Sequence, residues 1–147
     1  MVEKVKKERK KSANYFPNDE MLALIDSRNE FRKHEVLSKE EQRTLRKIEE
    51  RIGVLYFKIS EGLMRRPNFC NYDLATKADM ISDAVFNCLK AGETYNTKFK
   101  NPHAYFTQIS WNAFILNIKA MKKRSNFMLP LGHVENLETY NDENISE

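Results

Sequence analysis

Between Leu45 and Leu63 the chain places Leu45, Ile48, Ile52, Leu55, Ile59 and Leu63 at steps of three and four residues. At about 100° per residue these side chains fall on one stripe of an α-helix. A stripe sustained for almost three heptads has to be covered, either by the chain's own helices or by a second copy in a two-stranded coiled coil. Periodic segments on both sides of it also need a partner face, which favours packing inside one domain.

The start of this helix is marked by Ser38-Lys39-Glu40-Glu41. The Ser38 hydroxyl caps the Glu41 amide while Glu41 reaches back, which is a capping box. Only 4 Gly and 4 Pro occur in 147 residues, too few for the turns of a barrel or sandwich, so the expected class is all-α. A hydrophobic share of 41% is enough for a core without staples, and the length suits one domain. No apolar run approaches the roughly 20 residues of a membrane span, and no apolar stretch follows the basic N-terminus as in a signal peptide. The two cysteines, Cys70 and Cys88, lack metal-ligand spacing and read as free thiols in a reducing cytosol.

Four helices and two tails are expected. The first helix runs from about Asn18 to Lys33, capped by Asn18 or Asp19, with Leu22, Ile25 and Asn29 on one face. The striped helix follows from Ser38 to about Leu63, and Arg65 to Asp73 reads as a loop. The third helix spans about Leu74 to Ala91, with Ala78, Ile81, Val85, Cys88 and Leu89 as its buried stripe and Gly92 as a left-handed stop. Glu93 to Asn101 is a polar, basic loop, and Pro102 suits the first turn of a last helix ending near Lys123. This divides the chain into a flexible basic arm (1–14), a compact helical bundle (15–124) and a C-terminal extension with an acidic tail (125–147).

Charge is distributed unevenly. Met1 to Ser12 holds six Lys/Arg and two Glu, whereas His133 to Glu147 holds five acids and no Lys or Arg. The segment between them is itself basic, which points to a polyanionic partner.

Two helical faces are not explained by a core. On the last helix Phe106, Ile109, Ala113, Leu116 and Ala120 gather on one side, and Gln108, Trp111, Asn112, Ile115, Lys119, Lys122 and Lys123 on the other. An indole, two amides and a basic end suit nucleic acid, because amides read base edges, rings stack on bases and lysines neutralise phosphates. The alternative is that Trp111 and Ile115 pack under a neighbouring helix. On the third helix Asp79, Ser82, Asp83, Phe86 and Lys90 lie opposite the buried stripe. An acidic face with one exposed Phe fits a basic protein partner. The alternative is that Phe86 packs on the first helix. Catalysis finds little support: His34, His103 and His133 are far apart, and no glycine loop cradles a phosphate. No enzyme activity, metal or cofactor is expected.

The run from Asp79 to Tyr95 resembles region 2.2 of bacterial sigma factors, and Lys98 to Lys119 resembles regions 2.3 and 2.4. More closely, Glu61 to Arg124 is similar to the late-transcription sigma factors of large tailed phages. The likeness rests on Glu61-Gly62-Leu63, Asn68-Phe69, Asn101-Pro102-His103-Ala104-Tyr105 with Thr107-Gln108, and Asn112-Ala113-Phe114. The resemblance implies a divergent sigma domain 2 in the cytoplasm of an infected bacterium. It would bind the β′ clamp helices of the host RNA polymerase core through Asp79, Ser82, Asp83, Phe86 and Leu89. It would direct the enzyme to AT-rich −10-type late promoters. DNA would be read or stacked by Tyr105, Gln108, Ile109, Asn112 and Ile115, with His103, Thr107 and Trp111 beside them. Lys98, Lys100, Lys119, Lys122, Lys123 and Arg124 would hold phosphates. Opening A·T pairs is cheapest, and stacked bases offset the unpairing cost.

Departures from that pattern carry their own implications. Gln108-Ile109 stand where sigma factors have adjacent tryptophans, so the melting wedge is weaker. After Gly132 no stretch matches a helix-turn-helix that would read a second promoter element. In the phage factors a replication sliding clamp, with a late coactivator, takes that place. Leu137, Tyr140 and Ile145 of the acidic tail are the candidate clamp contacts, against a tail that is merely solvated. Two other function classes stay open: a polymerase-binding modulator that reads no promoter, and a free-standing DNA-binding repressor. The repressor would use the stripe from Leu45 to Leu63 as its dimer seam.

Overall fold

The computed structural model describes residues 16–128. The tail positions Leu137, Tyr140 and Ile145 and the basic arm lie outside these described residues. Four helices follow one another: α1 (Asn18–Arg32), α2 (Lys39–Met64), α3 (Leu74–Gly92) and α4 (Pro102–Met128). The fold is an all-α bundle in which α2 packs against each of the other three and α3 lies along α4. Among the described residues no helix is long and apolar enough to cross a membrane.

The stripe on α2 builds the centre. Ile52, Leu55, Ile59 and Leu63 are buried, and so are Tyr56, Ser60 and Met64 beside them. That band is wider than a coiled-coil seam, and it is covered by the chain's own helices. From Ile52 onward the candidate dimer seam is therefore interior, while Leu45 and Ile48 are half-buried. The capping box at Ser38 and Glu41 forms in both directions, at 3.2 and 2.7 Å.

Helix α1 begins differently from the expectation. Pro17 precedes it, and no side chain caps it. The Asn18 carboxamide oxygen instead accepts the backbone N–H of His103 at 3.0 Å, in the first turn of α4. Asn101 accepts the Ala104 N–H at 3.2 Å, so side chains from two places close the α4 N-terminus. On the inner face of α1 the buried residues are Met21, Leu22, Ile25 and Arg28, with Asn29 only half-buried. Arg28 is 3% exposed and donates to the Gly92 carbonyl at 2.6 Å, placing a cation at the C-terminal end of α3. Farther out, Arg32 pairs with both Glu49 and Glu93, and Arg51 holds Glu20 in a two-pronged bond at 2.6 and 3.2 Å. The Arg51 bond holds the Glu20 carboxyl below its usual range.

Gly92 is not a left-handed stop, since no glycine among the described residues has a positive φ. It is the last residue of α3, and a Cβ there would run into the Tyr56 hydroxyl. The residue is small because two helices meet at it. Helix α3 is also rotated from the expected register. Met80, Ala84, Cys88 and Gly92 face the core, whereas Ala78 and Leu89 are exposed and Ile81 and Val85 half-buried. On α4 the core residues are Phe106, Ser110, Ala113 and Phe114, and Leu116 is 63% exposed rather than buried. This helix continues to Met128, past the expected end at Lys123 and into the segment expected to be extension.

Two loops are pinned by single aromatics. Phe69 is fully buried between Trp111 and Phe114, with ring centroids 4.9 and 5.0 Å away, and so anchors the α2–α3 turn. Tyr95 is buried against Tyr105 and Phe106 and donates its hydroxyl to the Phe99 carbonyl at 2.6 Å, which shapes the α3–α4 loop.

Candidate functional site

The rotation of α3 leaves an apolar flank uncovered. Between α2 and α3 runs a groove of about 870 Å³ whose floor and walls include Phe57, Leu74, Ile81, Val85, Phe86 and Leu89. Phe86 is 59% exposed, so it does not pack on α1; the Lys90 ammonium sits 4.7 Å from its ring centre. Asp79, Ser82 and Asp83 are exposed along the same helix, and Ser82 lines the groove. Among the described residues neither aspartate forms an ion pair. A partner laid here would meet an apolar trough whose own charged lining is Glu61, Arg65 and Lys77, with Asp79 and Asp83 farther round the same helix. Sequence reasoning found the edge and missed the trough. Phe57 and Leu74 carried the signal, as apolar residues that the α2 and α3 stripes do not use.

The second surface lies on α4. Gln108, Asn112, Lys119, Lys122, Lys123 and Arg124 are exposed, and so is Tyr105. The Gln108 amide donates to the Asn112 carboxamide oxygen at 3.0 Å, which sets the two amides in one orientation. Tyr105 stands against Tyr95 with ring centroids 5.0 Å apart and planes tilted by 50°, a contact that fixes the ring's position. Lys98 and Lys100 are exposed on the adjoining loop. None of these cations forms an ion pair among the described residues.

Trp111 and Ile115 were expected to face away from the core. Both are half-buried and pack on the cluster of Leu63, Met64, Phe69, Met80, Ala84, Ala113 and Phe114. The reason is Phe69, whose ring meets the indole edge-on. Trp111 is therefore half-buried rather than freely exposed. His103 and Thr107 share a flank of α4 with Trp111, not with Asn112 and Lys119. They line hollows with Arg66, at the end of α2. His103 is held below its ordinary pKa by burial and by the Arg66 charge. Its ring lies 4.9 Å from Phe16. Arg66 was read only as part of a loop; the paired arginines after Leu63-Met64 were the available signal.

No family model matches this chain, and no curated protein does either.

Proposed function

We propose that the chain is a sigma-like initiation factor that docks on bacterial core RNA polymerase and brings it to AT-rich −10-type promoters. The observation that carries the proposal is that the two faces picked out in the sequence, on α3 and on α4, are both exposed, and that the α3 face borders an apolar groove. The groove suits a helical partner with an apolar stripe, and the exposed Asp79 and Asp83 on the same helix suit basic residues beside that stripe, as the β′ clamp helices would provide. The Gln108–Asn112 amide pair suits base edges, Tyr105 suits a stacked base, and the unpaired lysines from Lys98 to Lys123 suit phosphates. The role is one of binding and positioning, without catalysis and without a cofactor.

A polymerase-binding modulator that reads no promoter is the second reading. It is favoured by Trp111, whose packing on Phe69 leaves no free indole to wedge between bases. The repressor reading loses its dimer seam, because the α2 stripe is covered within the bundle.

Transcription by purified core polymerase on a supercoiled template with a TATA-like element decides among them. A discrete start that depends on the protein is the expected result. Polymerase binding without such a start favours the modulator, and no binding at all overturns both polymerase readings.

A further inference from the structure

Helix α4 and the chain that follows it divide charge between them. Over 27 residues α4 contains no Asp or Glu, so its cations meet no acid on their own helix. At about 100° per residue Lys119, Lys122 and Lys123 fall on the side that carries Tyr105, Gln108 and Asn112, with Arg124 on an adjoining flank. All four cations are exposed, and none forms an ion pair among the described residues. Leu116 lies on the same side and is 63% exposed, an apolar patch within a polar face. The nineteen residues of the sequence after Met128 have the opposite make-up. They hold Glu135, Glu138, Asp142, Glu143 and Glu147 without one Lys or Arg, and Leu137 and Tyr140 stand among the acids. Pro130 and Gly132 come first, residue types that suit a reversal of the chain. Nineteen residues reach up to about 60 Å, against a length of roughly 40 Å for α4, so each acid can come to the cationic end of the helix.

We propose that residues 133–147 lie back along α4, with Glu135, Glu138, Asp142 and Glu143 against Lys119, Lys122, Lys123 and Arg124, and with Leu137 and Tyr140 against Leu116. The acidic segment then stands where a polyanion would stand, and it has to leave before α4 can bind one. The contact itself needs only these charges; its consequence rests on the nucleic-acid reading of α4 and makes access to that face conditional. A segment tethered beside its target acts at an effective concentration of about a millimolar, so ion pairs too weak to hold a free peptide are enough here. Exposed pairs are each worth little and are screened by salt, which keeps the contact reversible. A nucleic acid that presents many phosphates displaces the segment, and a small anion does not. The α3 face is a poorer seat for the same acids, because it exposes Asp79 and Asp83.

A nitroxide attached at Thr139→Cys in a Cys70→Ser background tests the contact in the full chain, since Cys88 is fully buried and takes no label. Paramagnetic broadening of the backbone amides from Asn112 to Arg124 is expected at about 50 mM salt. It should be largely lost at about 1 M, where the Debye length is about 3 Å. The triple variant Lys119→Gln, Lys122→Gln, Lys123→Gln should lose it already at low salt, and an unchanged urea midpoint confirms the fold. Broadening that follows only the distance from Met128, indifferent to salt and to the three lysines, is what a tethered but unbound tail gives, and it overturns the proposal. Broadening carried to isotope-labelled chains that bear no nitroxide assigns the contact to a second copy and overturns the fold-back. Broadening centred on α3 overturns α4 as the seat. The consequence is read by anisotropy of a labelled oligothymidylate. The variant Glu135→Gln, Glu138→Gln, Asp142→Asn, Glu143→Gln is expected to bind it about tenfold more tightly at about 50 mM salt, with the gap closing as salt rises. Equal affinity at low salt, with the broadening intact, overturns the gating. If neither wild type nor this variant binds any oligonucleotide, the nucleic-acid reading falls and the gating with it, while the broadening decides the tail contact independently.

Discussion

The Arg28 guanidinium, buried in the bundle, donates a 2.6 Å hydrogen bond to the carbonyl of Gly92, 64 residues further along the chain. The same glycine leaves room for the Tyr56 hydroxyl, which a Cβ would meet. One residue thus lets α1, α2 and α3 come together, and the α3 face used in the proposed docking is set by that meeting point.

Gly92→Ala should destabilise the fold by about 2 kcal/mol, because Tyr56 is fully buried against Phe106 and cannot swing aside. Tyr56→Phe should recover part of the loss in the double variant. Gly53→Ala and Gly62→Ala provide the contrast. Nothing lies within 4 Å of a Cβ at either position, so each should stabilise α2 by about 0.5–1 kcal/mol. Urea unfolding of the four variants separates steric conflict from helix propensity; similar midpoints for Gly92→Ala and Gly62→Ala would contradict it.

This meeting point also marks where sequence reading stops. The α2 stripe and its capping box were legible because periodicity and a hydroxyl three residues before a glutamate are local patterns. The direction of α3 was not. It carries apolar residues on two adjoining flanks, Met80-Ala84-Cys88 and Ala78-Ile81-Val85-Leu89, and periodicity cannot tell which flank is covered. Helix α4 is apolar through most of its circumference, so Leu116 and Trp111 could each be drawn on the wrong side. Arg28 gave no signal in the sequence, because its acceptor is a backbone carbonyl, which has no signature there. Gly92 invited a turn-based reading, although its neighbour across space was the cause. Of the candidate sites, the carboxylate edge and the exposed amides were legible. The groove forms only once α2 and α3 are packed side by side, which no local pattern announces.

Asn18 caps a helix other than its own. Its carboxamide oxygen accepts the His103 N–H, so Asn18→Ala should cost about 1 kcal/mol. Asn18→Asp should keep most of that stability, since a carboxylate accepts the same bond and favours a helix N-terminus. Amide hydrogen exchange gives the sharper readout. Protection should fall at His103 rather than in the first turn of α1, and the reverse pattern would refute the assignment.

The core should weaken in alkali. Burial pushes the Cys88 thiol up to about 11 from an ordinary 9.0, with the Ser110 hydrogen bond acting the other way. Burial likewise holds the Tyr56 hydroxyl above its ordinary 10.0. A raised folded-state value means that the contribution is whole below the unfolded pKa and is lost as pH climbs towards the folded one. For Cys88 that window runs from pH 9.0 to about 11, and the loss is on the order of 2–3 kcal/mol. Cys88→Ala should flatten the first part of the decline in urea midpoints above pH 9, leaving the Tyr56 part at higher pH. A wild-type profile level through this range would show that the thiol is not shielded.

Docking should depend on charge at the groove edge. Asp79 and Asp83 are exposed and form no ion pair among the described residues, so Asp79→Lys with Asp83→Lys should leave the free energy of urea unfolding within about 0.5 kcal/mol of wild type. Co-purification with core polymerase should nevertheless be abolished, because like charges across an interface cost several kcal/mol. Phe86→Ala should weaken binding while leaving its salt dependence unchanged, since it removes apolar contact alone. Retention of the double-lysine variant on polymerase at wild-type level would exclude this face as the contact.

The α4 face should affect selectivity separately from docking. Gln108 donates to Asn112 in the free protein, so the two amides are already oriented before DNA arrives. Asn112→Ala removes an acceptor and a donor at the centre of the face and leaves Gln108 free to rotate. A bidentate amide contact with a base is worth about 1–3 kcal/mol of discrimination, which corresponds to roughly 5- to 150-fold. Transcription from the matched element should fall within that range, while binding to polymerase is kept. Scrambled elements should be used no less than before, because no contact to them is lost. Lys119→Gln should instead lower transcription from both templates together and weaken the salt dependence. If Asn112→Ala reduced matched and scrambled templates equally, the amide would be acting through general affinity and α4 would not be reading sequence.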